Sequence, residues 1–330
     1  MDEVVEQLAH SASPSPAAAG ATTTTTSGSG GGAASGRSSV AAAAAGASTT
    51  SSGSGGGTAF SPAWVVPSSA LEFIRNIGAG SFGSVFEVNY RGVRIAAKKM
   101  GFVVEADRQE VDKILRTEFR ALQQLQHPHI LRMHGVVVDE PMSLTLLVEL
   151  APVGSLRKLL SASASRVLAS RLAQVSILSG TALGMSFLHD QKPTPVLHHD
   201  LKSDNVLLWE QGQEFVAKIC DFGLATGTQA STMRTGKGKS GAGAGTLAYK
   251  APEAFDDEFT TASEVYSFGV VAWEVLAGAV PWDGYSYSRL KKAIIKEERP
   301  PLAADVAATP LGQLVQRCWA LEPVWVWVCG

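Results

Sequence analysis

The sequence predicts an α+β fold with two lobes, a small lobe rich in strands followed by a larger helical lobe. Between residues 71 and 100, short segments interleave Val, Ile and Phe with polar residues and are separated by glycine, which is typical of strands. After Gly154, apolar residues such as Leu172, Val175 and Leu178 recur at three- and four-residue steps, which indicates the buried face of a helix. Strands first and helices afterwards is the order expected of an α+β domain.

The strand and helix segments can be placed along the chain. Strands are predicted around residues 71–77, 84–90, 93–100, 130–138 and 144–150. A helix from about residue 105 to 126 is predicted between the third and fourth strands, and Pro128 follows its end. The most apolar stretch, from Val265 to Trp282, contains Glu274 and several Gly and Pro residues, so we expect a buried helix there and not a membrane span.

The start of the chain has a different composition. Residues 11–60 are of low complexity, with runs such as TTTTT and SGSGGG, and such segments bury too little apolar surface to offset chain entropy. We therefore expect residues 1–63 to be a disordered tail. Residues 64–330 are expected to form one domain, with lobes at about 64–150 and 151–330.

The net charge and the cysteine content indicate which binding partners and which cellular compartment to expect. The 330-residue chain has a formal net charge of −2, which favours neither nucleic acid nor an anionic membrane as the main partner. Its three cysteines form no metal-type cluster and no secreted disulfide framework. We expect a cytoplasmic protein without a transmembrane segment. An organelle transit peptide stays open, because residues 7–71 contain no Asp or Glu.

A glycine-rich segment, Gly78-Ala-Gly80-Ser-Phe-Gly83, is the first candidate for phosphate binding. Glycine lets the backbone approach phosphate oxygens closely and present its N–H groups to them. The pattern alone would also fit a dinucleotide loop or an ordinary hairpin. A dinucleotide loop should open a helix and be followed about 20 residues on by an acidic residue. Strand-like sequence follows here, and Lys98 stands at that position, which disfavours the dinucleotide interpretation.

Two later segments contain the residue types that phosphoryl transfer requires, VLHHDLKSDNVLL at 196–208 and KICDFG at 218–223. The reaction needs a carboxylate near the attacking hydroxyl and oxygen ligands for Mg²⁺. Asp200 suits the first task, and Asn205 and Asp221 suit the second. The fixed order and spacing of these residues argue against a chance match.

With these motifs in place, residues 71–323 resemble a protein kinase domain, most closely the tyrosine-kinase-like group that includes Raf-like and mixed-lineage-like Ser/Thr kinases. Thr246 before Ala251-Pro252-Glu253 is also similar to that group. The resemblance implies an ATP-dependent protein serine/threonine kinase that uses Mg²⁺ and acts on protein substrates. It also implies activation by an upstream kinase or by autophosphorylation. The alternative is a pseudokinase or a truncated, inactive nucleotide-binding scaffold.

The resemblance implies a nucleotide site shared between the lobes. Lys98 would hold the α- and β-phosphates and pair with Glu118 on the following helix. The residues implied to contact the nucleotide are Gly78, Gly80, Ser81, Phe82, Gly83, Val85, Ala96, Lys98, Val148, Glu149, Ala151 and Leu207.

The resemblance also implies the catalytic roles. Asp200 would accept the proton of the substrate hydroxyl, and Lys202 would neutralise charge on the transferred group. Asn205 and Asp221 would bind Mg²⁺. The activation segment would begin at Asp221 and include Thr226, Thr228, Ser231, Thr232 and Thr235 as phosphorylation sites, and Thr246, which with Lys202 matches the Ser/Thr pattern.

Three features depart from the family pattern. His199 replaces the arginine that normally grips an activation-segment phosphate, so we expect weaker dependence on phosphorylation. Glu264 replaces an aspartate that braces the catalytic loop, which puts that brace in doubt. Val326 and Trp327 replace an expected arginine and proline, and the sequence stops at Gly330, so we expect the final helix of the lobe to be missing.

Overall fold

The computed structural model describes residues 62–80, 83–100, 119, 121–139, 143–221 and 246–320. The predicted disordered tail lies outside these residues, except for its last two, which belong to a short 3-10 helix, Pro62–Trp64. Residues 321–330 also lie outside the described part, so the prediction that the lobe lacks its final helix stays a prediction. The two-lobed α+β fold is confirmed by the elements that follow.

The first lobe is built on an antiparallel sheet of five strands in the order β1-β2-β3-β5-β4. Each strand overlaps one of the predicted segments. Part of the predicted helix between β3 and β4 is described, and residues 121–124 are helical. The strands are β1 (Leu71–Gly80), β2 (Gly83–Tyr90), β3 (Val93–Met100), β4 (Met133–Asp139) and β5 (Ser143–Glu149).

Alternation along β3 separates the lobe's core from the candidate site. Ile95 and Ala97 are buried in an apolar cluster that also contains Val88 and Leu147. Successive side chains of a strand point to opposite faces, so Ala96 and Lys98 share the other face. The apolar pattern that drives β3 into the sheet therefore also presents Lys98 away from the core.

The second lobe contains a small antiparallel sheet and six helices among the described residues. The sheet has the order β6-β7-β8. Its strands are β6 (Gly154–Ser155), β7 (Val206–Gln211) and β8 (Glu214–Ile219). The helices are α1 (Leu156–Leu168), α2 (Arg171–His189), α3 (Thr261–Ala277), α4 (Tyr287–Ile295), α5 (Ala304–Ala307) and α6 (Pro310–Cys318).

Two long helices form the centre of this lobe. The predicted buried helix is confirmed as α3, which begins with a capping box between Thr260 and Ser263 and ends at Gly278 in a left-handed conformation. The helix α2 begins at the cap Ser170. In the described part of the chain, α2 alone is long and apolar enough to cross a membrane, and 67% of that stretch is buried inside the protein.

The segment before β4 docks against α2 and β8. Leu131 N–H donates to the carbonyl of Ile219 (2.9 Å), and Ile219 N–H donates to the carbonyl of His129 (2.9 Å). A Cβ at Gly184 of α2 would lie 2.7 Å from the His129 carbonyl oxygen and 2.8 Å from Ile219 Cδ1. Because Gly184 has no side chain, this segment can pack directly on the helix.

Candidate active site

The glycine-rich segment forms the end of the β1–β2 hairpin. Gly80 is paired with Gly83, and Gly78 with Val85. Gly83 has φ 146°, a conformation that residues with a Cβ rarely adopt. The Asn76 side-chain oxygen accepts a hydrogen bond from the N–H of Gly78 (3.0 Å). Ser81 and Phe82 lie outside the described residues.

The residues predicted to surround the adenine come from neighbouring strands. Val85 pairs with Lys98 across β2 and β3, and Ala96 pairs with Val148 across β3 and β5. Leu207 comes from the second lobe, where it pairs with Lys218 across β7 and β8. Their roles toward a nucleotide stay predictions.

The connection between the lobes is fixed by Glu149, at the end of β5. Its N–H donates to the carbonyl of Arg132 (3.0 Å), and its carboxylate accepts from the N–H of Arg132 (2.7 Å). Lys218 Nζ lies 2.8 and 2.7 Å from the two carboxylate oxygens. The N–H of Glu149 is thus engaged within the protein, and the contact of its backbone with the adenine edge stays a prediction. Ala151 follows, and its carbonyl accepts from the N–H of Gly154 (3.2 Å).

Lys98 and Asp221 come together although 123 residues separate them. Lys98 Nζ lies 3.2 Å from Asp221 Oδ1, and both side chains are partly exposed. Burial by itself raises the pKa of the Asp221 carboxyl, but the charge and hydrogen bond of Lys98 outweigh this effect and hold the pKa below its ordinary value. Asp221 has φ 71°, which is uncommon for a non-glycine residue. Glu118 lies outside the described residues, so its pairing with Lys98 stays a prediction.

The segment 198–205, called the catalytic loop below, gathers polar groups around Asp200. Lys202 Nζ donates to Asp200 Oδ2 (2.8 Å) and to the hydroxyl oxygen of Thr246 (3.2 Å). Asn205 Nδ2 donates to the Asp200 carbonyl (2.8 Å) and to Oδ2 (3.3 Å). One lysine therefore connects the carboxylate to a threonine that the sequence places at the end of the activation segment.

His198 links the catalytic loop to the segment that follows β8 and contains Asp221. Its Nε2 lies 2.9 Å from the carbonyl oxygen of Cys220, while Nδ1 lies 3.2 Å from the N–H of Asp200. A carbonyl can only accept, so Nε2 carries the proton and Nδ1 accepts from Asp200. The imidazole of His198 thus contacts both the backbone of the predicted base, Asp200, and the backbone next to the predicted metal ligand, Asp221.

Comparison with known families decides the identity of this arrangement. The profile of the family described as "Protein tyrosine and serine/threonine kinase" matches residues 71–324. The chain belongs to the protein kinase family. This match covers both lobes, and it confirms the resemblance to the tyrosine-kinase-like group together with the relatives that follow.

Several curated proteins are similar to this kinase domain. Mitogen-activated protein kinase kinase kinase 10 of Mus musculus is 32% identical over 268 residues, 78% of this chain and 27% of that protein. Serine/threonine-protein kinase CTR1 of Arabidopsis thaliana is 33% identical over 262 residues, 78% of this chain and 30% of that protein. Receptor-interacting serine/threonine-protein kinase 3 of Homo sapiens is 36% identical over 282 residues, 80% of this chain and 50% of that protein. The kinase chain thus spans half or less of the length of these relatives.

Glu264 braces the catalytic loop of the kinase, so the doubt raised by its extra methylene group is wrong. Its Oε1 accepts from the N–H of His199 (2.6 Å), and its Oε2 lies 2.7 Å from His189 Nε2. Both Glu264 and His189 are buried. The longer side chain is accommodated because it reaches the loop backbone with one oxygen and a histidine of α2 with the other. Sequence reasoning missed His189, whose only local signal was a polar residue at the end of an apolar helix.

A buried polar network connects the catalytic loop to the segment that carries Thr246. Tyr249 Oη donates to Glu274 Oε2 (2.6 Å), and Ser203 Oγ donates to Oε1 (3.2 Å). Arg157 Nη1 lies 2.8 Å from Oε1. Burial raises the pKa of Glu274 to about 7, against the opposing effects of Arg157 and the two hydroxyl groups. Burial, followed by the Glu274 charge, also raises the pKa of Tyr249 well above its ordinary value.

Only some of the residues that depart from the family pattern, and only one of the predicted activation-segment positions, lie in the described part of the chain. His199 has φ 64°, and its ring packs edge-on against Phe259, with centroids 4.7 Å apart. Among the predicted activation-segment positions, Thr246 is placed by its hydrogen bond from Lys202. Positions outside the described residues are Thr226, Thr228, Ser231, Thr232 and Thr235.

Proposed function

We propose that this kinase transfers the γ-phosphoryl group of ATP to serine or threonine hydroxyls of protein substrates. The observation that supports this most strongly is the 3.2 Å contact between Lys98 of the first sheet and Asp221 of the second lobe. A lysine that holds phosphates and an acid that binds their metal ion must meet at one triphosphate. The contact is what an ATP-using kinase requires, whereas a scaffold that binds no nucleotide would have no need of it.

The metal-binding chemistry of the residues fits Mg²⁺. The side-chain nitrogen of Asn205 donates a hydrogen bond to Asp200, which leaves the side-chain oxygen Oδ1 of Asn205 as the possible metal ligand. Asp221 offers a carboxylate whose pKa is lowered, so it is ionised at neutral pH. Mg²⁺ is usually held by one or two such oxygens together with substrate phosphates. When bound, Mg²⁺ would supply charge neutralisation at the phosphate oxygens.

The proposed transfer is a direct displacement. The substrate hydroxyl oxygen attacks the γ-phosphorus. The bond between the γ-phosphorus and the β–γ bridging oxygen breaks, and ADP leaves with that electron pair. Asp200 takes the proton of the hydroxyl, while Lys202 and Asn205 hold its carboxylate in place. Lys98 orients the α- and β-phosphates. The preference for serine or threonine is supported by the shared contact of Lys202 with Asp200 and Thr246.

A transfer assay with an Asp200→Asn variant tests this proposal. The full chain is incubated with Mg-ATP and a generic protein substrate, and phosphoserine and phosphothreonine are measured. The variant should lose at least about 100-fold in rate, since general-base catalysis contributes roughly 10² to 10⁴, while ATP binding is retained. Asp204→Asn is the matched control, because Asp204 belongs to the same loop but its side chain is 52% exposed.

The assay also separates the kinase from its alternative, a nucleotide-binding pseudokinase or scaffold. A wild-type chain that binds ATP but transfers no more phosphate than Asp200→Asn contradicts the proposed activity and favours that alternative.

A further inference from the structure

Arg157, the second residue of α1, contacts three separate parts of the second lobe. Its Nη1 lies 2.8 Å from Glu274 Oε1 on α3, and its Nη2 donates to the hydroxyl oxygen of Tyr249. Its Nε lies 3.8 Å from Oδ2 of Asp204 in the catalytic loop. A guanidinium presents five N–H donors in one rigid plane, so a single arginine can serve all three groups. Arg157 therefore joins α1 and α3 to the catalytic loop and to the segment 246–249.

The contacts that Arg157 makes with Tyr249 and Glu274 are shielded from water. Both of these partners are buried, and the side chain of Arg157 itself is only 21% exposed. The Tyr249 hydroxyl donates to Glu274 Oε2 (2.6 Å), so its oxygen is left to accept from Arg157. Ser203 Oγ lies 3.1 Å from the same hydroxyl oxygen. Removing the guanidinium would take one donor from a buried hydroxyl and the positive charge from beside a buried carboxylate.

Tyr249 is connected in turn to the place where the substrate hydroxyl would react. Its N–H donates to the carbonyl of Thr246 (3.4 Å). The Thr246 hydroxyl accepts from Lys202, which also donates to Asp200. Asp200, Thr246 and Tyr249 line the same small cavity. A protein substrate whose hydroxyl lies at Asp200 must therefore pass close to the segment 246–249.

The backbone at Arg157 is fixed by its neighbours in the chain. Ser155 is paired with Leu207 across β6 and β7, and Leu156 is fully buried. Within the residues that the structure describes, the polar contacts of the Arg157 side chain are those with Tyr249, Glu274 and Asp204. These contacts include none of the residues predicted to bind ATP, so the side chain acts on the substrate side of the site.

We propose that Arg157 is a positioning residue for the protein substrate, because it fixes Tyr249 and thereby the segment 246–249 beside Asp200. The inference rests on the proposed kinase function and adds a residue to which the family resemblance gave no role. Loss of the Arg157 contacts should raise the KM of the protein substrate and leave the KM of ATP unchanged. A merely structural role would lower the amount of folded enzyme and change neither KM.

Steady-state kinetics of the full chain with Mg-ATP and a generic protein substrate test the inference. In Arg157→Met the KM of the protein substrate should rise by about tenfold while that of ATP stays within about twofold, because a small displacement of a positioning segment already weakens oriented contacts. Arg166→Met is the matched control and should change neither KM. It removes the same charge from the same helix, at a side chain that is 52% exposed and pairs with Glu210.

Two further variants separate the contact with Tyr249 from simple charge neutralisation, and they decide the question if Arg157→Met does not fold. A lysine ammonium keeps the positive charge but lacks the planar fork of donors, so Arg157→Lys should still raise the KM of the protein substrate. Tyr249→Phe should raise it as well. The double variant should show no further rise, because residues that act through one contact are not additive.

A normal KM of the protein substrate in Arg157→Lys or in Tyr249→Phe would overturn the inference and leave the proposed function standing. Equal rises in the KM of ATP and of the protein substrate, or the same rise in Arg166→Met, would overturn it too. If the wild-type chain phosphorylates no generic protein substrate, both the function and the inference are lost.

Discussion

Replacing Glu274 by glutamine should remove a pH dependence from the stability of the kinase. Glu274 is fully buried on α3 and receives hydrogen bonds from Tyr249 and Ser203. Burial raises its pKa from an ordinary value of 4.5 to about 7. In the unfolded chain the same group ionises near its ordinary value, so folding binds a proton across the intervening pH range.

The size and sign of the effect follow from these two pKa values. The interval from 4.5 to about 7 corresponds to about 3 kcal/mol in the free energy of unfolding, since each tenfold step is about 1.4 kcal/mol. The folded pKa is the higher one, so this contribution is fully present below about pH 4.5 and is lost as the pH rises through about 7. About 2 kcal/mol of the loss falls between about pH 5.5 and about pH 7.5.

The assay compares thermal unfolding of the wild type and Glu274→Gln over this pH range. For a domain of this size, 1 kcal/mol shifts Tm by roughly 2–4 °C, so the wild-type Tm should fall relative to the variant by about 5 °C. Glutamine leaves Arg157 without its charged partner, so the absolute Tm can differ at every pH, and only the slope is diagnostic. Glu258→Gln, at an exposed position, should keep the wild-type slope.

Parallel pH profiles for the wild type and Glu274→Gln would refute this reasoning. They would mean that Arg157 and the two hydroxyl groups compensate burial fully, so that Glu274 ionises at its ordinary pKa in the folded protein.

Three further predictions concern packing, the loop brace and regulation. Gly184→Ala should lower the free energy of unfolding by roughly 1–3 kcal/mol in denaturant titrations, because the new Cβ meets the His129 carbonyl and Ile219 at under 3.0 Å; an unchanged stability would show that the segment relaxes easily. Glu264→Ala should cost roughly 1–3 kcal/mol by the same measurement and also reduce kcat, because the N–H of His199 loses its buried acceptor and the brace on the catalytic loop is removed; an unchanged stability and kcat would contradict the brace. A phosphatase-treated sample should keep most of its activity, because His199 packs on a neighbouring ring and lacks a permanent charge for gripping a phosphate; a fall to the background rate would contradict this.

The fold and the centre of the site could be predicted because their signals are local in sequence. Alternating apolar residues fix β1 to β5, and the spacing from Asp200 to Asn205 sets two groups on one loop. Lys98 and Asp221 are 123 residues apart, and only the resemblance to a kinase assigned both of them to one nucleotide site; the structure brings them to 3.2 Å. Periodicity alone could not have paired them.

The polar networks that hold the site could not be predicted, since their partners are distant in sequence and each residue is ordinary by itself. His189 and Glu264 are 75 residues apart, and Arg157 and Tyr249 are 92 apart. In the sequence, Glu274 was no more than a charge that argued against a membrane span. The pairing of Lys218 with Glu149 likewise arises from the packing of β8 near the connection between the lobes.

Calorimetric titration of the full chain with ATP, with and without Mg²⁺, tests the central claim most directly. If Lys98, Asn205 and Asp221 meet at one triphosphate, Mg²⁺ should tighten ATP binding by about tenfold or more in the wild type. The tightening should be lost in Asp221→Asn, and Lys98→Met should weaken binding with and without the metal. A folded wild-type chain that takes up no Mg-ATP, or an Asp221→Asn variant that keeps the full effect of Mg²⁺, would contradict the claim.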